Sequence, residues 1–266
     1  MRVPLSLAHI VREPAANAAT PGEAPPLLLL LHGVGSNEQS MASLAPAFDS
    51  RFVVISARSP IVLGPNAFAW FHVEFTPQGS VINAAEAKEG WTRLATFIDE
   101  AVGAYGADPS RVYVAGFSQG AIMALATLLT APDRITGVAA MSGRLLPEVL
   151  PYAAPAAMLV GKPVLIVHGT LDEKLGVHYA RSAREQLAKF PLTLSYRELP
   201  IGHAVTQESV SIVGTWLTDL LDAPRGAQRG ESGSFAQEAE VDHALEMTFP
   251  ASDPPAWMSS GSPAND

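Results

Sequence analysis

The 266-residue sequence has no cysteine, which excludes disulfides, thiolate nucleophiles and cysteine-held metals. Basic residues are scarce: 17 Lys and Arg stand against 26 Asp and Glu, a formal net charge of -9. No stretch clusters the few cations, so a nucleic-acid partner is not expected. Long apolar runs are missing too, none approaching the ~18 residues of a membrane span. The first nine residues hold one Arg and no apolar core of the kind a secretory leader needs. The expectation is a cytoplasmic protein without stable membrane insertion. No His-Glu-x-x-His pair or similar close-set ligand pair occurs, so nothing in the sequence asks for a metal.

What is present is enough apolar material, 48% of residues, for one sizeable α/β core. Between residues 25 and 221, short apolar runs alternate with stretches of helical period, the pattern of a mainly parallel sheet with helices on both faces. Strands are predicted at 27–31, 52–56, 112–115, 137–141, 164–168 and 192–199, with an antiparallel edge strand within 5–11. Five successive leucines, Leu27 to Leu31, fit a strand buried on both faces. Trp91, Leu94, Ala95, Ile98, Val102 and Tyr105 recur at three- and four-residue spacings and place a helix over 84–105. Further helices are expected at 121–129, 178–189 and 205–221.

After Asp222 the pattern stops, so the domain boundary falls at 1–222 and 223–266. Residues 223–234 have the Gly-rich, polar composition of a linker, and the rest reads as an appended tail, flexible or peripherally docked. Its Phe235, Leu245, Met247, Phe249 and Trp257 would let it dock on the domain or on a neighbouring subunit, which leaves a homodimer open.

The chemistry centres on Gly116-Phe117-Ser118-Gln119-Gly120, set between an apolar strand and a helix. That is the placement of a nucleophile elbow, with Ser118 presented at the tip of a sharp turn and small residues flanking it where strand and helix crowd together. Alone the five-residue pattern is weak, since average usage produces it by chance in a chain of this length roughly one time in ten. Its context is stronger. A serine hydroxyl needs a base, and the base needs a third group to fix its tautomer. Ser118 is followed by an apolar strand ending in His168-Gly169-Thr170-Leu171-Asp172, then by Pro200-Ile201-Gly202-His203 after the last strand. Both groups leave the carboxyl ends of strands, where open α/β sheets build their sites. His203 is the expected base, whereas His32 and His168, each before a glycine at a strand end, suit structural hydrogen bonds. Asp172 is the expected acid, with Glu173 its nearest rival. An oxyanion hole would take the N–H of Gln119 and one from the early loop Leu31-His32-Gly33-Val34-Gly35, that of Val34.

These motifs, with Trp70-Phe71 and Met141-Ser142-Gly143, make residues 25–221 resemble the phospholipase/carboxylesterase family of small α/β-hydrolases. The resemblance implies the α/β-hydrolase fold and hydrolysis of carboxylic esters through an acyl-enzyme on Ser118, completed by Asp172 and His203, with no cofactor. Short- to medium-chain esters are the expected substrates; acyl-protein thioesterase or lysophospholipase action is the alternative within the class. Two departures stand out: Glu173-Lys174 replaces the proline turn usual after the acid, and a tail follows the last helix. The long connection 58–84 holds Leu63, Trp70 and Phe71, which are candidates to contact substrate or to roof the core. A non-catalytic binding scaffold is the reading from another class, and it gives no reason to keep Ser118, Asp172 and His203 together.

Overall fold

Five consecutive leucines can be buried only if both faces of their strand are covered, and the computed structural model meets that condition. It describes residues 5–16, 18, 22–76, 79–224 and 249–250. Chain order begins with β1 (His9–Arg12), β2 (Leu27–Leu31), α1 (Glu38–Ala42) and β3 (Val53–Ala57). An excursion of two hairpins follows, β4 (Ile61–Gly64) with β5 (Ala67–Ala69) and β6 (Val73–Thr76) with β7 (Gly79–Ile82). Then come α2 (Ala84–Tyr105), β8 (Val112–Phe117), α3 (Gln119–Thr130), β9 (Gly137–Met141), β10 (Pro163–Gly169), α4 (His178–Leu187) and β11 (Thr193–Leu199). The short β12 (Ala204–Val205), α5 (Gln207–Asp222) and β13 (Phe249–Pro250) complete the set.

Seven strands form one sheet in the order β1-β3-β2-β8-β9-β10-β11, parallel except for β1, which runs antiparallel to β3. The alternation of side chains along a strand divides the leucines between two cores. Leu27, Leu29 and Leu31 join the core built with α2, α3 and α4, while Leu28 and Leu30 join that of α1 and α5. This is the doubly covered α/β-hydrolase architecture expected, with β1 as the antiparallel edge.

Local chemistry fixes the helix ends. Asn83 caps α2 by accepting the N–H of Glu86, and Gly106 ends it in the left-handed region at φ 60°. The helix predicted from residue 205 instead starts at Gln207. Ala204–Val205 is extended, and Thr206 forms a capping box with Ser209. The hairpins of the excursion are not foreseen in the sequence, because strands of three or four residues are too short to show a usable period. Most of the linker and tail lies outside the described residues. Besides Ala223 and Pro224, the exception is β13, whose Pro250 and Phe249 pair antiparallel with Ala204 and Val205.

Candidate active site

The elbow is built by close approach of backbone. A Cβ on Gly116 would lie 2.3 Å from the carbonyl oxygen of Gly120, and one on Gly120 would lie 2.2 Å from that of Leu31. Neither position tolerates a side chain, which lets α3 start directly above β2 and β8. Between them Ser118 is held at φ 53°, ψ -117°, a conformation that costs a non-glycine residue about 1–3 kcal/mol. The sequence suggested a presented serine; here it is only 7% exposed, because Phe117, Gly33 and His203 crowd its turn. Its hydroxyl is nonetheless engaged, with Oγ 2.9 Å from Nε2 of His203.

His203 follows β11 and lies against the ring of Phe117, the centroids 5.0 Å apart. Its Nδ1–H donates to Oδ2 of Asp172 at 2.7 Å, which leaves Nε2 free to accept from Ser118. Asp172, 6% exposed, stands on the loop after β10. Glu173, its rival in the sequence, is exposed. The N–H groups of Lys174 and Leu175 donate to Oδ1 of Asp172 at 3.0 and 2.7 Å, so the loop that lacks the usual proline is fixed by the carboxylate itself. Burial pushes the carboxyl of Asp172 up, but hydrogen bonds from His168, His203 and the Leu175 N–H outweigh it and hold the group well below the usual carboxylate range.

His168 was expected to be structural, and it sits within the same shell. Fully buried, it donates from Nε2 to the carbonyl of Leu175 at 2.6 Å and lies 3.4 Å from Oδ2 of Asp172. The only sequence signal for this is its spacing of four residues from the acid. His32 is also buried: Nδ1–H donates to the carbonyl of Gly33 at 2.8 Å, and Nε2 accepts the N–H of Ser59 at 3.1 Å. Burial pushes its pKa down to about 4.

The two expected oxyanion donors lie on loops that touch Ser118. Gln119 is the first residue of α3, where N–H groups have no acceptor within the helix. Val34 lies in a turn in which the N–H groups of Gly35 and Ser36 are committed to the carbonyls of Phe68 and Gly33. The turn abuts Ser118: a Cβ on Gly33 would be 3.1 Å from Cβ of that residue.

The candidate substrate residues separate. Leu63 is half-buried in β4. Trp70 and Phe71, 1% and 2% exposed, are given over to the core beside α2. Sequence reasoning also missed the side chain of Gln119, whose amide binds the backbone of both aromatics. Among the described residues no group of His, Asp and Glu is placed to hold a metal, and no helix is long and apolar enough to cross a membrane.

Comparison with known proteins places the chain in a family. The profile of the Phospholipase/Carboxylesterase family matches residues 15–221. Esterase YpfH of Escherichia coli is 32% identical over 196 residues, 69% of this chain and 78% of that protein. Acyl-protein thioesterase 1 of Kluyveromyces lactis is 29% identical, over 62% of this chain and 77% of its own. The crystal structure of esterase PE8 superposes with a TM-score of 0.67 at 26% identity, covering 82% of this chain and 99% of that one. The chain therefore belongs to the phospholipase/carboxylesterase family, the carboxylic ester hydrolases of the α/β-hydrolase fold.

Proposed function

We propose that this protein is a serine carboxylesterase that cleaves short- to medium-chain esters through an acyl-enzyme on Ser118. The observation that carries the reading is the continuous chain Ser118 Oγ, His203 Nε2, His203 Nδ1, Asp172 Oδ2, with contacts of 2.9 and 2.7 Å. Ser118 Oγ attacks the ester carbonyl carbon while Nε2 of His203 takes its proton. Asp172 keeps the Nδ1 proton in place and stabilises the imidazolium. The negative charge that develops on the carbonyl oxygen is met by the N–H groups of Val34 and Gln119. Collapse of the tetrahedral species breaks the bond to the alcohol, which leaves with the proton from His203. Water, deprotonated by the same Nε2, then attacks the acyl group and releases the carboxylic acid, restoring Ser118.

Leu63 is our candidate for the wall of the acyl site, since it is the one of the three expected contacts not fully committed to the core. We place the catalytic unit within residues 1–222, a boundary supported by the end of the family match at residue 221. The relative named as an acyl-protein thioesterase gives the alternative substrate class its support. A panel of p-nitrophenyl esters of increasing chain length, acyl thioesters and a peptide tests both. Turnover greatest on short and medium esters, and lost in Ser118→Ala by up to about a millionfold, is the expected result. Preference for long thioesters would move the protein to the alternative, and an active Ser118→Ala would end the serine mechanism.

A further inference from the structure

We propose that the side-chain amide of Gln119 positions the oxyanion hole: together with residues 68–71 it splints the two loops that supply the hole's N–H groups. The inference rests on the serine-esterase reading above.

The two donors belong to different loops. Val34 follows β2 and Gln119 follows β8, strands that are neighbours in register with Leu31 opposite Gly116. The sheet therefore fixes where both loops begin but not how far apart their tips lie. The turn carrying Val34 has a left-handed residue, Gly35 at φ 77°, and one long internal bond, Ser36 N–H to the Gly33 carbonyl at 3.3 Å. Its rigidity comes from outside. Gly35 N–H donates to the Phe68 carbonyl at 2.8 Å, and Phe68 N–H donates to the Ser36 carbonyl at 2.9 Å.

Two residues further on, the same segment grips the elbow. Trp70 N–H donates to Oε1 of Gln119 at 2.7 Å, and Nε2 of Gln119 donates to the Phe71 carbonyl at 2.7 Å. Those partners fix the orientation of the amide, since a backbone N–H can only donate and a carbonyl only accept. The indole Nε1–H of Trp70 adds a bond to the His32 carbonyl at 3.2 Å, at the root of the Val34 turn. Three residues of one four-residue segment, Phe68, Trp70 and Phe71, thus hold both donor-bearing segments. One of the two grips is the side chain of the very residue whose N–H is the second donor, so a shift in the splint moves that donor directly. Gln119 is 3% exposed, so bulk solvent has little access to replace its bonds. A misplacement of about 1 Å at such a site can cost 10²-fold in rate.

The test uses the full chain with two substitutions. Gln119→Met keeps length and volume but loses both bonds, while Trp70→Phe keeps a ring and loses the indole bond together with part of the buried ring volume. Sites are first counted by fluorophosphonate labelling of Ser118, so that partly unfolded protein does not distort the rates. Then kcat and KM for p-nitrophenyl butyrate and Ki for a trifluoromethyl ketone are measured per labelled site. For Gln119→Met we expect kcat lower by about 10- to 100-fold, KM within about twofold, and the ketone weakened by the same factor as kcat/KM. The double variant should fall little below the worse single one, because coupled groups are not additive. Unchanged kcat and Ki per labelled site in Gln119→Met, or independent multiplying losses in the double variant, would overturn the splint. If Gln119→Met yields no folded protein, Trp70→Phe decides alone: a kcat loss at constant KM supports the proposal and an unchanged kcat defeats it. A wild-type chain that neither labels nor hydrolyses any ester removes the serine-esterase reading, and the splint with it. An active wild type beside an unaffected variant removes the splint only.

Discussion

Asp172 is engaged on both oxygens: Oδ1 accepts two backbone N–H groups, and Oδ2 accepts from His203 and lies 3.4 Å from Nε2 of His168. An asparagine there could keep the loop but would turn an N–H toward Nδ1 of His203. The imidazole would then carry its proton on Nε2 and could not receive one from Ser118. Asp172→Asn is accordingly expected to lower kcat by about 10⁴-fold, the size seen for this change in a serine protease triad. Glu173→Gln, one residue along and exposed, should leave kcat within about twofold, as surface substitutions away from a site usually do. Steady-state kinetics on both variants checks the choice of acid. Equal losses, or a loss confined to Glu173→Gln, would reverse it. Much of the candidate site could be read at this scale because Ser118, Asp172 and His203 follow strand ends in the order that the α/β-hydrolase fold uses. The amide of Gln119 could not, since its partners are backbone atoms 48 and 49 residues away and any sequence supplies backbone.

Elements show the same division. β2, β9 and α2 fall where the sequence places them, because each carries an uninterrupted apolar run or stripe. The hairpins between β3 and α2 do not announce themselves, since strands of three or four residues are too short to show a periodic face. The first of them and the segment leading into it are tied down by polar contacts: Phe68 to the Val34 turn, the Arg58 guanidinium on Glu38, and Ser59 on the buried His32. His32 makes this cluster sensitive to acid. Its folded pKa, pushed down to about 4 by burial, lies below the ordinary histidine value of 6.5. The unfolded chain therefore binds the extra proton first as pH falls. Stability from this group is fully present above pH 6.5 and is lost between 6.5 and about 4. At ~1.4 kcal/mol per unit the loss is on the order of 3 kcal/mol. Urea midpoints measured from pH 7 to pH 4 should show this decline, and His32→Asn, which cannot titrate, should flatten it whatever its own starting stability. An equally steep decline in His32→Asn would assign the acid sensitivity elsewhere.

At the scale of the whole molecule, the sheet could be foreseen because burial on both faces leaves its mark on every strand, while the end of the chain offers no such mark. The family match stops at residue 221, where α5 closes against the core through Leu217 and Leu221. Beyond it, the described contact is β13, a two-residue ladder on β12, and β12 begins one residue after His203. Two considerations compete. A two-residue ladder contributes little, since a net hydrogen bond is worth about 1 kcal/mol. Its position, however, is next to the base of the proposed triad, where a small displacement would be felt in the rate. Stability and activity should therefore respond differently to removal of residues 224–266. A chain ending at Ala223 is expected to keep its melting temperature within about 3 °C, because for a domain of roughly this size each kcal/mol moves it by about 2–4 °C. Its kcat should change by less than about tenfold, since Ser118, His203 and Asp172 keep all their own bonds within residues 118–203. Calorimetry, p-nitrophenyl butyrate kinetics and mass in solution on the two chains settle the matter. A melting temperature lower by 10 °C or more, or a change of mass from dimer to monomer, would make the tail part of the fold rather than an appendage. A kcat raised well beyond tenfold would mean that β13 restrains the strand behind His203.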